Sequence, residues 1–436
     1  MDAALIAGIV LVLGIAVLLL LRVPIAIAVG FSAFVAVAAV IGMEKASFVA
    51  AQRMFTGINS FALLAIPFFI LAGVLMNNGG IAGRLIDAAK VLVGRMPGSL
   101  AQTNVVANAL FGSVSGAAVA SAAAVGGVIG PRQAKEGYDK NFSAAVNIAS
   151  APSGMLIPPS NTLIVYSLVS STSIATLFVA GYIPGILWAL ACMLIVFLYV
   201  RKRKELNNYQ QVTLPVALLT LWRAVPSILM IVIVIGGILA GIFTPTESAV
   251  IAVVYCLILG FAYRAIKVRD LPRIVLDATV TTSIVMLLVG VSTIMAWVMA
   301  FSGIPAAISN GLLGLTDSPT IILILIMVIL LIVGTFMDPT PAILIFVPIF
   351  LPIVTEFGVD PIHFGIMVTF NLCLGTITPP VGNVLFVGAK VAGLRAEPVI
   401  KALVPFFIAL IAMLFVVAFV PQLSMWLPEL LGLLAP

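Results

Sequence analysis

The sequence predicts an all-α polytopic membrane protein built as an inverted repeat, and three observations carry that prediction. Of its 436 residues, 63% are apolar and only 8% are charged, where a soluble domain carries about 25% charged residues. The mean hydropathy is +1.30. There is too little polar surface to cover a water-soluble fold, and at ~20 apolar residues per crossing there is room for roughly a dozen membrane elements. The second observation is that the 21 basic residues lie between the long apolar runs. The third is a recurrence of Pro and Gly at a fixed interval.

Composition also excludes several classes. The net charge of +6 is not gathered on an amphipathic face, so it reads as topology and no nucleic-acid partner is expected. Cys192, Cys256 and Cys373 all sit inside apolar runs without CxxC spacing, which argues against a disulfide framework. The single histidine, His363, has no cluster of metal-ligating neighbours in sequence and reads as a structural residue at a helix entrance. No Lys precedes Ser or Thr, so the chain has no P-loop.

The elements follow in order. Residues 3–21 are apolar and Arg22 follows them. A signal peptide carries its positive charge before the apolar run, so this segment reads as a retained helix with its N-terminus outside. Further spans are expected at 24–42, 60–78, 177–200, 225–243, 248–263, 278–301 and 402–420. Two long stretches, 141–170 and 362–388, are broken, one at Pro152-Ser153-Gly154 with Pro158-Pro159 and the other at Gly375 with Pro379-Pro380. Two more, 98–130 and 319–354, are interrupted midway, at Gly112 to Gly116 and at Gly334 to Pro339. Their arms, of about 12–16 residues, suit re-entrant hairpins.

The charges test this plan. With the N-terminus outside, each hairpin returning to its own side and each broken helix crossing once, 19 of the 21 basic residues fall inside, and only Lys45 and Arg53 fall outside. The count places 98–130 as a hairpin entering from inside and 319–354 as one entering from outside.

The recurrence then orients the halves. Pro24 and Pro245 are 221 residues apart, and so are Pro131 and Pro352, Gly137 and Gly358, Asp139 and Asp360, Gly154 and Gly375, Pro158-Pro159 and Pro379-Pro380, and Pro184 and Pro405. Five Pro–Pro matches stand against roughly one expected by chance. Each half has three spanning helices, a surface helix, a hairpin, a broken helix and a final span. Five crossings is an odd number, so the halves are inverted, a transporter pattern. The expected organisation is a scaffold at 1–97, a transport part at 98–200, a cytoplasmic link at 201–223, a second scaffold at 224–318 and a second transport part at 319–436.

Interruptions at membrane depth expose backbone groups that lipid cannot satisfy. Half-helix N-termini suit a carboxylate, and half-helix C-termini suit a hard cation such as Na⁺. The residue types fit. Ser113, Ser115, Gly116 and Gly154 are the candidate Na⁺ donors of the inner pair; Gly334, Asp338, Gly375, Thr376 and Thr378 are those of the outer pair. Ser115, Ser160, Asn161, Thr162 and Asn383 are candidate substrate contacts. No Lys or Arg maps to membrane depth, so an anion has to be held by N–H groups, hydroxyls, amides and co-bound cations. Other roles compete. Small residues permit close helix packing, Pro-Pro pairs end helices, and Asp338 can cap a hairpin tip. Glu247, the fourth residue of Thr244-Pro245-Thr246-Glu247, reads as a helix cap. Ser113 and Ser115 are not centred in a nucleophile elbow, so no enzyme is expected.

Three stretches carry a family resemblance: Phe111 to Ala120, Ser150 to Asn161, and Gly375 to Gly382. Together they resemble the large membrane subunit, DctM type, of tripartite ATP-independent periplasmic (TRAP) transporters, within the ion-transporter superfamily. The divalent anion/sodium symporters of that superfamily carry Ser-Asn-Thr at hairpin tips, whereas here Ser160-Asn161-Thr162 lies in a broken helix. The resemblance implies a bacterial inner-membrane permease with a periplasmic N-terminus. It also implies a periplasmic binding protein that delivers an organic anion, and a small four-helix membrane subunit, expected as a separate chain. Uptake is then Na⁺-driven and elevator-like, with membrane lipids around the complex and no cofactor beyond the coupling ion. C4-dicarboxylates, sialic acids, keto acids and sugar acids all stay open as substrates, and a stand-alone Na⁺/organic anion symporter is the alternative.

Overall fold

The computed structural model describes residues 3–21, 23–201, 203, 206, 213–313 and 318–434. The first half contains α1 (Ala3–Leu20), α2 (Ile25–Ile41), α3 (Met43–Ile58), a 3₁₀ turn leading into α4 (Ala65–Asn78), and α5 (Ile81–Val93). It continues with α6 (Ser99–Ser115), α7 (Ala118–Lys135), α8 (Lys140–Ser150), α9 (Ser153–Leu156), α10 (Asn161–Ser170) and α11 (Ile174–Arg201). The second half opens with α12 (Leu214–Leu239), α13 (Pro245–Ala262), α14 (Leu271–Ser302) and α15 (Ile304–Leu313). Then come α16 (Pro319–Phe336), α17 (Pro339–Glu356), α18 (Pro361–Ile377), α19 (Asn383–Val391), α20 (Ala396–Phe419) and α21 (Gln422–Leu430). Among the described residues, seven helices are long and apolar enough to cross a membrane singly.

Helix boundaries repeat at the interval of the punctuation. Both ends of α7 lie 221 residues before the ends of α17. Asp139 caps α8 by accepting a hydrogen bond from Phe142 N at 2.9 Å, and Asp360 caps α18 by accepting one from Ile362 N at 2.7 Å. Contacts between the halves come in exchanged pairs. Helix α4 packs on α13 as its counterpart α14 packs on α2. Likewise α10 packs on α17 as α19 packs on α7, and α8 on α20 as α18 on α11. Reciprocal pairing of this kind is what an inverted-topology repeat related by a pseudo-two-fold axis produces.

The core lies at the broken helices. In α18 every residue from His363 to Ile377 is buried, and in α8 every residue from Phe142 to Ser150. Outer helices expose Leu13, Val232, Ile258 and Ile408, the surface that lipid solvates. His363 is a satisfied core residue, with Nδ1 2.7 Å from Ser424 Oγ and Nε2 3.1 Å from the Ala418 carbonyl. The Thr244–Glu247 capping box forms, with Thr244 N donating to Glu247 Oε2 at 2.7 Å.

The structure differs from the sequence reading in four places. Helix α3 is an added element; it carries Glu44, Lys45, Gln52 and Arg53, too polar to register as a span. Both basic residues that the topology count leaves outside therefore lie on one helix. Its counterpart in the second half is the start of α14, which runs unbroken for 32 residues. The hairpin arms are 17 and 18 residues in the first half and 18 and 18 in the second. They exceed the expected length because α6 and α16 stay helical through Gly112 to Ser115 and Gly334 to Phe336, read as interruptions, and α7 and α17 run on to Lys135 and Glu356. Helix α18 runs past Gly375 to Ile377, so the second break is at Thr378 to Gly382. Helix α12 begins at Leu214, inside the stretch 201–223 read as a link. Of the basic residues in the topology count, Arg22, Lys202 and Lys204 lie outside the described residues.

Candidate transport site at the hairpin tips

Each hairpin rests on the broken helix of its own half through backbone. At the end of α6, Gly116 takes φ +63° and donates its N–H to the Gly112 carbonyl at 2.8 Å. A left-handed residue at this position ends the helix without a Cβ penalty. One turn earlier the hairpin meets α9. A Cβ on Gly154 would lie 2.2 Å from the Cα and carbonyl carbon of Gly112 and 2.6 Å from Ser113 N. The second half repeats this contact, since a Cβ on Gly375 would lie 2.5 Å from the same two atoms of Gly334. Gly154 and Gly375 thus hold backbone against backbone, the packing role that their sequence left open.

Around the inner tip, the Asn161 amide covers Gly116, where an added Cβ would come within 2.7 Å of its Nδ2. Ser160 caps α10, accepting from Leu163 N at 3.3 Å and donating to the Met155 carbonyl. Thr162, beside it, is buried. Around the outer tip, Asp338 caps α17, its Oδ1 accepting from Thr340 N at 3.2 Å. Its Oδ2 accepts from Asn383 Nδ2 at 2.9 Å, which ties the tip to the start of α19. A backbone bond from Gly382 N to the Thr335 carbonyl, 2.9 Å, makes a second tie. Asp338 is nevertheless exposed as a residue. The cap and the functional candidate are one residue.

The hydroxyls share a pattern. Ser113 donates to Leu110 O at 2.9 Å, Thr335 to Ile332 O, Thr376 to Cys373 O and Thr378 to Leu374 O, each of these three at 2.7 Å. Ser115 donates to Gly112 O at 3.4 Å. A hydroxyl that gives its proton to a helix carbonyl keeps its lone pairs for another partner. These oxygens are therefore available to a hard cation, alongside the Asp338 carboxylate. Neutral oxygens with a single carboxylate are a donor set suited to an alkali or similarly hard cation.

Two features escaped the sequence reading. Gly382, at φ +31°, forms the tie to Thr335; its place after Pro379-Pro380 was the available signal. The other is a buried amide network inside the first hairpin. Asn108 Nδ2 donates to Asn104 Oδ1 at 2.8 Å, Ser150 Oγ at 2.8 Å and Asn147 Oδ1 at 3.1 Å, while its Oδ1 accepts from Ser121 Oγ at 2.7 Å. Helical spacing, Asn104 to Asn108 and Asn147 to Ser150, marked it. Each buried polar group left unpaired costs about 1–3 kcal/mol. Asn108→Leu strips partners from four buried residues, so the apparent Tm in detergent is expected to fall by several degrees in a fluorimetric melt. An unchanged Tm would mean that the network does not hold the hairpin.

Comparisons with known proteins give the family and the fold. Residues 12–423 match the family model described as "Tripartite ATP-independent periplasmic transporter, DctM component". The chain is 51% identical to YgiK of Salmonella typhimurium, covering 95% of each chain. It is 38% identical to the C4-dicarboxylate TRAP transporter large permease protein DctM of Pseudomonas aeruginosa, covering 88% of this chain and 90% of that one. It is also 38% identical to the sialic acid TRAP transporter large permease protein SiaM of Vibrio cholerae, covering 92% and 95%. Among solved structures, the YdaH transporter of Alcanivorax borkumensis shares the fold, with a TM-score of 0.61 over 89% of each chain at 12% identity. Large permeases of this family are transporters, not enzymes, and work with a small membrane subunit and a periplasmic binding protein. A match along nearly the whole chain, on an inverted repeat with two hairpins and two helix breaks, leaves one assignment: this chain belongs to the DctM family, the large multi-pass permease component of TRAP transporters.

Proposed function

We propose that the chain takes up an organic anion across the bacterial inner membrane, driven by a Na⁺ gradient, with its N-terminus in the periplasm. The observation that carries the reading is the outer tip. An exposed residue, Asp338, is tied through its carboxylate to Asn383 across the break, three residues after the tip residue Thr335, whose hydroxyl keeps its lone pairs free. Na⁺ held there and at the matching inner tip supplies the positive charge that an anion needs where the chain has no Lys or Arg. Asn161, Ser160, Thr162, Ser115 and Asn383 then offer hydroxyls and amides to a carboxylate. Dicarboxylates and sialic acid, the substrates in the relatives' names, share that group. The parts 98–200 and 319–436 carry the site as an elevator against the scaffolds 1–97 and 224–318. A periplasmic binding protein delivers the substrate, and a small subunit braces the scaffold.

Reconstitution tests this. Labelled succinate and N-acetylneuraminate are offered to liposomes holding the chain alone, or the chain with its small subunit and binding protein. Uptake is expected only from the complete system. Uptake of free substrate by the chain alone would make it a stand-alone symporter instead.

A further inference from the structure

A cavity of about 220 Å³ lies at the far end of the first hairpin from its tip, between α7, α8 and α19 and reaching α6. Lys140, Ser143 and Asn147 line it from α8, Asn104 from α6, Gly126 from α7 and Gly388 from α19. Spacings of three and four residues put the α8 side chains on one helix face. Two of the residues that line it carry a buried polar atom with no hydrogen-bond partner: Asn104 Nδ2, on a residue 0% exposed, and Ser143 Oγ, on a residue 6% exposed. Buried polar groups are nearly always paired, and an exception calls for a missing partner. Among the described residues, Lys140 is the one charged residue on the cavity wall. The neighbouring Asp139 carboxylate is already committed to Phe142 N at 2.9 Å.

The repeat provides an internal control. A shift of 221 residues carries Asn104, Gly126, Ser143 and Asn147 onto Leu325, Val347, Phe364 and Val368, all apolar. In that half the equivalent space is filled. The Tyr166 ring lies so close to Gly365 that a Cβ there would come within 2.4 Å of Cε1, and both Tyr166 and Phe364 are fully buried. The Tyr166 hydroxyl bonds the carbonyl of Pro361, the counterpart of Lys140. The residue matching Tyr166 beside the cavity is Val387. The fold thus packs this position closed when given apolar side chains, as interiors normally do, and only the half bearing Lys140 keeps it open and polar.

We propose that this cavity is a second anion site, a release station for a small carboxylate leaving toward the cytoplasm. Asn104 Nδ2 and the Ser143 hydroxyl donate to the carboxylate, and Lys140 sets the sign of the charge admitted. The volume is several times the ~30 Å³ of one water and below the roughly 300–1,000 Å³ of drug-sized sites, which fits a small organic acid. The cytoplasmic placement and the substrate class rest on the function proposed above; the anion site itself does not.

Thiol modification tests it without transport. Ser143→Cys is made in the full chain and reconstituted in phosphatidylcholine vesicles. It is treated with the anionic reagent 2-sulfonatoethyl methanethiosulfonate or its cationic trimethylammonioethyl analogue, and modification of the introduced thiol is followed by mass spectrometry of the peptide that carries it. Rates are normalised to free cysteine. The anionic reagent is expected to react roughly tenfold faster, Lys140→Gln to abolish that preference, and succinate to slow the reaction. Ala144→Cys, on the same wall, is the second reporter if Ser143→Cys fails to fold. Absence of modification, a preference for the cation, or a preference indifferent to Lys140→Gln would each overturn the proposal, and none of these depends on whether uptake is Na⁺-coupled.

Discussion

Gly154→Val is expected to bring uptake below about a tenth of wild type while the protein still accumulates in the membrane. The added Cβ lands 2.2 Å from two backbone atoms of Gly112, where carbon atoms rest at about 3.5–4.0 Å. Backbone cannot rotate aside as a side-chain tip can, so the hairpin has to move off the break by more than 1 Å. Overpacking of this kind costs about 1–3 kcal/mol. That cost is bearable for a large membrane protein, but the displacement falls at the ends of the helices that form the site. Gly375→Val repeats the effect in the other half, its Cβ at 2.5 Å from Gly334 backbone. Gly127→Ala is the control, because nothing lies within 4 Å of its added Cβ. Uptake assays on membranes with matched expression check this, and wild-type uptake by either valine variant would contradict it.

Asp338→Asn is expected to raise the Na⁺ concentration for half-maximal uptake at least tenfold, with a small change in Tm. Asparagine caps helices as well as aspartate does, so the bond from Thr340 N survives and the start of α17 stays in place. What disappears is the one charge in the tip sequence Gly334 to Pro339. Two unit charges 4 Å apart interact by about 4 kcal/mol at a dielectric typical of a protein surface, and a third of that is already tenfold in affinity. Asp338→Ala removes charge and cap together and should add about 1 kcal/mol of destabilisation. Na⁺ titrations of uptake, set beside melts of the same preparations, separate the two effects. An unchanged Na⁺ dependence in well-folded Asp338→Asn would remove this residue from the site.

Much of the architecture was legible because membrane proteins write it in coarse signals. Long apolar runs gave most of the helices, and Pro and Gly at fixed spacing gave the repeat. Those signals depend on composition over many residues, so they survive ignorance of packing. Helix α3 escaped because a 16-residue amphipathic helix with Glu44, Lys45 and Arg53 resembles a loop to any hydropathy measure. The arm lengths escaped because Gly112 to Ser115 and Gly334 to Phe336 read as breaks by residue type yet stay helical, and the backbone that packs on Gly112 and Gly334 comes from distant residues, Gly154 and Gly375. Gly154 and Gly375 stood out for their spacing, but which atoms they face depends on the hairpin folding back onto the break. The Asp338–Asn383 bond joins residues 45 apart in sequence, and the 221-residue shift pairs those positions with Ala117 and Thr162, so the repeat could not point to it.

In the function proposed above, a Na⁺ gradient drives anion uptake through these junctions. Liposomes holding the chain with its small subunit and binding protein, loaded with K⁺ and diluted into Na⁺ or into K⁺ at equal ionic strength, test it most directly. Labelled anion should accumulate above its external concentration in Na⁺ and only equilibrate in K⁺. Equal accumulation in both would contradict the account.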